Sequence, residues 1–215
     1  WDEKGSLKTS IEWEKGVESG ILSWWHPNGT LGLRSEWADG KENGLTSLWN
    51  KNGKKIFEGS FLGGVENALW TWWYDGEVFE DFGEDGEPNT QDEGEGNGVW
   101  DSTETIPNDN GNGIFDPPQK KREGSYVAGN REGLWTSWYE KENRKDEDDE
   151  NKEPSREIEA NYTDGKLNGS LIRWHDNGNK SEEGTYTSGK QEGIWIKYYE
   201  TGIKKEQTRF FDGQQ

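Results

Sequence analysis

The feature that most constrains this chain is a recurrence. Aromatic residues and glycines return at a fixed step along most of its 215 residues. In "GILSWWHPNG" (20–29), "GLTSLWNKNG" (44–53), "ALWTWWYDG" (68–76), "GLWTSWYEKEN" (133–143), "GSLIRWHDNG" (169–178) and "GIWIKYYETG" (193–202), the position five after each leading residue is Trp25, Trp49, Trp73, Trp138, Trp174 and Tyr198. A second ladder runs Trp13, Trp37, Phe61, Tyr126, Tyr162, Tyr186 and Phe210, with a step of 24 residues from Trp13 to Trp37 to Phe61 and again from Tyr162 to Tyr186 to Phe210. Turn glycines keep that step at Gly16, Gly40 and Gly64, then at Gly165, Gly189 and Gly213. A unit this short cannot bury a core alone, so it must fold as an array stacked on its neighbours.

Each unit reads as two short strands. "HPNGT" and "HDNGN" are hairpin signals, because Asn-Gly supplies the positive φ angles of a tight turn, and "DGK" supplies the other reversal. An aromatic at a fixed place in each strand is expected to stack on its counterparts in neighbouring hairpins, at roughly 0.2–1 kcal/mol per cross-strand pair. The expected fold is all-β: an elongated antiparallel sheet of successive hairpins with a 24-residue period, carrying an irregular metal-binding insertion.

Composition agrees with a turn-rich β protein. Only 27% of the residues are hydrophobic and the net charge is −19, values typical of disorder, but the 14 tryptophans can each bury a large apolar area. Such an acidic chain repels phosphates, which argues against nucleic acid as a ligand. The lack of cysteine removes disulfides and thiolate metal sites. No apolar run approaches the roughly 18 residues of a membrane-spanning helix. The lack of methionine reads as a processed or truncated N-terminus.

Glycine-rich units of this type, clearest in "YTSGKQEGIWIKYYETGIKKEQTRF" (186–210), resemble MORN-variant repeats of bacterial surface and antitoxin-like proteins. The resemblance covers residues 1–76, 120–139 and 158–215 and implies a scaffold or binding surface rather than an activity. Ala68 departs from the unit glycine.

Two insertions interrupt the array, at 77–119 and 140–157. Both follow the first strand of a unit, after "WWYDG" and "WYEKEN", so both are expected along one edge of the sheet as spatial neighbours. The shorter contains "EKENRKDEDDENKEP" (140–154), a charge run read as a solvated loop. The longer contains "EGEGNGVWDSTE" (93–104), which can be laid on a calcium loop. Glu93, Glu95 and Asn97 take the first ligand positions, Val99 offers a carbonyl, and Asp101 and Glu104 take the ninth and twelfth. "NDNGNGIFDPPQ" (108–119) repeats the pattern with Asn108, Asn110, Asn112, Ile114 and Asp116, and "DFGEDGE" (81–87) echoes it with Asp81 and Asp85. Oxygen ligands on alternate residues around a glycine turn suit Ca2+, and zinc is disfavoured by the absence of cysteine. The segment resembles the tandem calcium loops of dockerins and thrombospondin-type repeats. An ion would supply the folding energy of a segment poor in apolar residues. Loops that fill at millimolar calcium point to an extracellular or cell-surface setting.

No nucleophile elbow, P-loop or dinucleotide fingerprint is present, and no catalytic residues are assigned. His26 and His175 hold equivalent places in the repeat, which reads as structural. Strand alternation puts Trp24, Trp70, Trp72, Trp135 and Trp195 on the face opposite the first ladder, either as packing residues or as an aromatic surface for a protein or glycan. The expected function is a non-enzymatic protein-binding or self-assembling scaffold. A carbohydrate-binding module and an antitoxin-like immunity protein are the alternatives.

Overall fold

The computed structural model describes residues 8–74, 119–140 and 155–215. The described chain is all β, without a helix. Its strands are β1 (Thr9–Ser10), β2 (Trp13–Glu14), β3 (Val17–Glu18), β4 (Gly20–Trp25), β5 (Leu31–Ala38), β6 (Lys41–Trp49), β7 (Lys55–Leu62) and β8 (Val65–Trp73). They continue as β9 (Lys120–Val127), β10 (Asn130–Trp138), β11 (Arg156–Thr163), β12 (Lys166–Trp174), β13 (Lys180–Thr187), β14 (Lys190–Tyr198) and β15 (Lys204–Phe210). Thirteen of them form one open antiparallel sheet in which β4 to β15 follow sequence order and β1 caps β4, while β2 and β3 pair separately. Every connection within β4–β15 joins adjacent strands, so contacts are made between nearest neighbours.

The core lies on one face, along a row that crosses the sheet. Trp70 is 8% exposed, and Trp135 and Trp195 are each 4% exposed. Each indole lies across a glycine of the preceding strand: Trp70 over Gly59, Trp135 over Gly124 and Trp195 over Gly184. A Cβ added at Gly59 would come within 2.5 Å of the Trp70 ring, and one at Gly124 or Gly184 would fall inside the neighbouring indole. Where the row holds no tryptophan, both partners change size together. Ala160 pairs with Leu171 on β11 and β12, and Ser35 pairs with Thr46 on β5 and β6. Ser35 and Thr46 are buried and their hydroxyls hydrogen-bond at 2.7 Å, so this polar pair is satisfied. Each indole N–H donates to a carbonyl of the facing strand, at Ser60, Ser125 and Thr185 respectively.

The second ladder interleaves with these tryptophans. Ring centroids lie 5.1 Å apart for Phe61–Trp70, 5.2 Å for Trp70–Tyr126, 5.0 Å for Tyr126–Trp135 and 5.1 Å for Tyr186–Trp195, mostly edge to face. The first ladder behaves differently from the stacking expected of it. Equivalent residues in successive units are two strands, or about 9.6 Å, apart, beyond the roughly 4.5–7 Å at which rings interact. Among the described residues Trp25, Trp49, Trp73, Trp138, Trp174 and Tyr198 accordingly make no ring contact with one another. A register shift precedes each on its strand, and four of them pair across strands with a lysine: Trp49 with Lys55, Trp73 with Lys120, Trp174 with Lys180 and Tyr198 with Lys204. The Lys55 ammonium sits 5.7 Å from the Trp49 ring, and Lys180 joins Glu183, which accepts the Tyr198 hydroxyl.

Turn chemistry also differs from the expected assignment. The tight turns with positive φ at both central residues are the "DG" reversals, as at Asp164 (49°) and Gly165 (76°). In "HPNGT" only Gly29 has positive φ. Asn28 works instead through its side chain, accepting from Thr30 and donating to the Lys51 carbonyl of the next unit. The DG turns are tied together by backbone. The Gly40 N–H donates to Glu18 and the Gly165 N–H to Arg131, each one unit back, and the equivalent Gly64 and Gly129 do the same to Glu42 and Glu66.

Ala68 keeps the left-handed conformation of the glycines it replaces, at φ 61°. That conformation costs a non-glycine residue about 1–2 kcal/mol, partly offset by the greater unfolded-state freedom of glycine. Ala68→Gly should therefore raise the unfolding free energy by about 0.5–1 kcal/mol, read as a higher urea midpoint with an unchanged slope.

Candidate binding surfaces

The sheet presents two chemically distinct faces. On the face away from the buried tryptophans, alternation places Leu62, Val65, Leu69, Val127 and Leu134, all exposed. Leu62 pairs with Val65 across β7 and β8, while Leu69 faces Ser125, Val127 faces Asn130 and Leu134 faces Asn161, so the aliphatic residues share one face with polar residues between them. Exposed aliphatic residues also recur singly along the repeat, at Leu45 and Ile194, whereas among the described residues the centre of the sheet gathers five.

Charge on the sheet is organised by the repeat. Lys55–Glu58, Lys120–Glu123, Arg156–Glu159 and Lys180–Glu183 are equivalent ion pairs at 2.5, 2.6, 3.1 and 2.6 Å. The hydrogen bond from Lys55, assisted by one from Ser47, holds the Glu58 carboxyl below the usual range. Lys180 and then Tyr198 do the same for Glu183. A carboxyl whose folded pKa is depressed contributes stability that is complete above its unfolded value of about 4.3 and is lost as pH falls through the folded value. Both pairs are solvent-screened, so each contribution is small. The unfolding free energy of a Glu58→Gln, Glu183→Gln double variant should depend less on pH below about 4.3 than that of the parent, as measured by denaturant titration.

The other face carries the five tryptophans singled out in the sequence. Trp70, Trp135 and Trp195 are core residues, because each closes over a glycine and under neighbouring rings. They do not belong to an exposed aromatic surface. Trp24, 38% exposed, and the half-buried Trp72 retain accessible ring. Trp24 stands edge-on to His26, with centroids 4.7 Å apart.

A groove of about 840 Å3 opens on this face between β8 and β11. Trp72, Trp135 and Tyr162 contribute rings, Arg122 and Arg131 contribute guanidinium groups, and Glu140 and Glu157 contribute carboxylates towards the edge where the insertions leave the sheet. The Arg122 guanidinium carbon lies 4.3 Å from the Trp72 centroid, and that of Arg131 lies 4.5 Å from the Trp135 centroid. Burial raises the hydroxyl pKa of Tyr74 at this edge, with Glu157 adding to the effect.

The stems of the two insertions are neighbours. Tyr74 N–H donates to Gln119, Tyr139 N–H donates to Ser155, and the Tyr74 hydroxyl crosses from one stem to the Trp138 carbonyl beside the other. His26 and His175 occupy the same place in their units as Tyr74 and Tyr139. His26 Nε2 meets the Trp49 carbonyl at 2.9 Å and His175 Nε2 meets that of Tyr198 at 3.2 Å, while Tyr139 donates to Trp174. Since a carbonyl only accepts, each ring nitrogen carries its proton, and both imidazoles serve as unit-to-unit ties.

The calcium ligands expected at Asp81, Asp85, Glu93, Glu95, Asn97, Val99, Asp101, Glu104, Asn108, Asn110, Asn112, Ile114 and Asp116 lie outside the described residues. Among the described residues, no three carboxylate or imidazole side chains converge as a metal site. None of the described elements is a helix long and apolar enough to cross a membrane.

The chain matches no protein-family model and no curated protein. Arg122 and Arg131 were not among the residues singled out in the sequence. The available signal was their departure from the repeat: positions equivalent to Arg131 hold Glu42, Glu66, Leu167 and Gln191.

Proposed function

We propose that this chain is a non-enzymatic extracellular scaffold that binds a protein partner, or further copies of itself, through the aliphatic centre of its open sheet. The observation that carries this reading is the exposed group Leu62, Val65, Leu69, Val127 and Leu134. A concentration of exposed aliphatic side chains on one face, rimmed by polar residues, supports contact with other proteins. The resemblance of the units to MORN-variant repeats supports a scaffold, and the structural use of both histidines removes the likeliest-looking acid–base groups from consideration. In this reading calcium, held by the carboxylate and amide oxygens of 93–104 and 108–119, stabilises the longer insertion. A carbohydrate-binding reading rests on Trp24 alone, since Trp70, Trp135 and Trp195 are core and the Arg122 guanidinium lies over the Trp72 ring.

A photo-crosslinker placed at Leu69 should trap one defined protein, or another copy of the chain, in the native setting. Leu134→Lys should abolish that product while leaving the melting temperature unchanged. Trapping that is insensitive to Leu134→Lys would contradict the reading. Calorimetry with calcium should show saturable binding near millimolar concentration that magnesium does not reproduce. Heat changes no greater than dilution would remove the ion and leave the scaffold.

A further inference from the structure

We propose that the groove over Trp72, Trp135 and Tyr162 is a receptor for a small molecule carrying one carboxylate on an apolar or aromatic body, with Arg122 and Arg131 as the carboxylate-binding groups. The site lies on the face opposite the aliphatic cluster and is independent of the scaffold reading.

Register places Arg122 in a row that crosses the sheet, and the rest of that row shows what is unusual about it. Further along, cations of the row are neutralised by the strand beside them: Arg173 by Glu182 at 3.5 Å and Lys197 by Glu206 at 3.4 Å. Arg122 instead pairs across the strands with Trp72 and with Ser137, whose hydroxyl donates to Glu157 at 3.0 Å, and Arg122 itself makes no ion pair among the described residues. Its Nε is buried and has no hydrogen-bond partner. The guanidinium is held by rings, 4.3 Å from the Trp72 centroid and 5.9 Å from that of Trp135.

Arg131 repeats the arrangement one strand away. It lies 4.5 Å from the Trp135 centroid and 5.4 Å from that of Tyr162, and its Nη1 donates to the Tyr162 hydroxyl at 3.3 Å. Among the described residues neither arginine has a carboxylate partner within ion-pair distance. In a chain of net charge −19, two arginines beside one indole, neither of them ion-paired among the described residues, are a specific arrangement.

The chemistry of the ligand follows from what is occupied and what is free. Stacking on indole uses the face of a guanidinium and leaves its edge, with N–H donors in a fork, for a planar carboxylate. Because arginines cover the Trp72 and Trp135 faces, a sugar ring cannot stack there as it would on bare indole. Apolar surface from the half-buried Ile56 and Ile158 lines the groove and accepts the body of a ligand. Glu140 and Glu157 line the edge where the insertions leave the sheet, Glu157 on the Ser137 hydroxyl next to Arg122, and with the overall negative charge they disfavour polyanions. A volume of about 840 Å3 lies within the range of small-molecule sites.

The test is calorimetric titration of the full chain with phenylacetate, with 2-phenylethanol as the neutral isostere and phenethylamine as the cationic one. Saturable binding of phenylacetate is expected, at least about tenfold tighter than the alcohol, with no binding of the amine. Arg122→Gln and Arg131→Gln should each weaken it about tenfold, and Arg122→Lys, which keeps charge and loses the fork, should fall between. Equal affinity for acid and alcohol, or no saturation by about 10 mM acid, would overturn the proposal. Tighter binding of a galacturonate trimer than of phenylacetate would overturn it in favour of glycan recognition. The acid–alcohol comparison needs only the unaltered chain, so it decides the matter even if the arginine variants unfold.

Discussion

Gly124→Ala is expected to lower the unfolding free energy by about 2–3 kcal/mol, an unusually large effect for the addition of one methyl group. The methyl would enter space filled by the Trp135 indole, which is 4% exposed and is held by its hydrogen bond to Ser125 and by the Tyr126 ring 5.0 Å away. Backbone conformation does not contribute, because Gly124 lies outside the left-handed region and alanine can adopt its φ freely. Gly133 offers the opposite case: φ is +70° and nothing lies within 4 Å of an added Cβ. Alanine there should cost only the left-handed penalty of about 1 kcal/mol, as Ala68 already does in its unit. Denaturant midpoints of the two variants should therefore differ even though both are glycine to alanine in neighbouring strands.

Trp195→Ala should remove about 3–5 kcal/mol, and the loss should be local. Trp195 seals the last part of the core with Ala160 and Leu171, under Tyr186 and Phe210. Strands β13–β15 touch the rest of the sheet only through β12, so a defect there is not shared by β5–β8. Hydrogen exchange should show protection collapsing across Lys180–Phe210 while Leu31–Trp73 keeps its own, as expected of a one-dimensional array. Equal loss of protection at both ends would mean that the sheet unfolds as a single cooperative unit.

Much of the fold was legible because its period was. Fixed steps between Trp13, Trp37 and Phe61 and between Tyr162, Tyr186 and Phe210 specify a repeated hairpin, and an array of such hairpins can bury its rings only by stacking. What the spacing could not specify was which ring is buried. Trp70, Trp72 and Trp73 are nearly adjacent, and the register shift between Trp72 and Trp73 alters the simple alternation at the strand end. The core tryptophans were recognisable only jointly with Gly59, Gly124 and Gly184, residues more readily read as turn formers. The paired replacements Ala160–Leu171 and Ser35–Thr46 carry the same information, but it emerges only once the register is known.

The binding surfaces were less legible for a related reason. Repetition draws attention to what recurs, and Arg122 and Arg131 matter because they do not recur. Their stacking on Trp72 and Trp135 depends on strands β8, β9 and β10 lying side by side, although 43-odd residues of insertion separate the first two in sequence, from 77 to 119. The aliphatic cluster is hidden likewise. Leu62, Val65, Leu69, Val127 and Leu134 come from four strands and look like scattered core residues until the face they share is known.

The central physical claim is that the sheet is held by size-matched pairs across one row, large over small. A double-mutant cycle on Gly124→Ala and Trp135→Leu tests it most directly, because the double variant reproduces the Ala160–Leu171 pair found two strands away. The account predicts that the double variant is more stable than the sum of the single losses by about 1–3 kcal/mol, with Trp135→Leu relieving the clash made by the added methyl. Additive losses would show that indole and glycine are not matched to each other, and would contradict the account of how the array holds together.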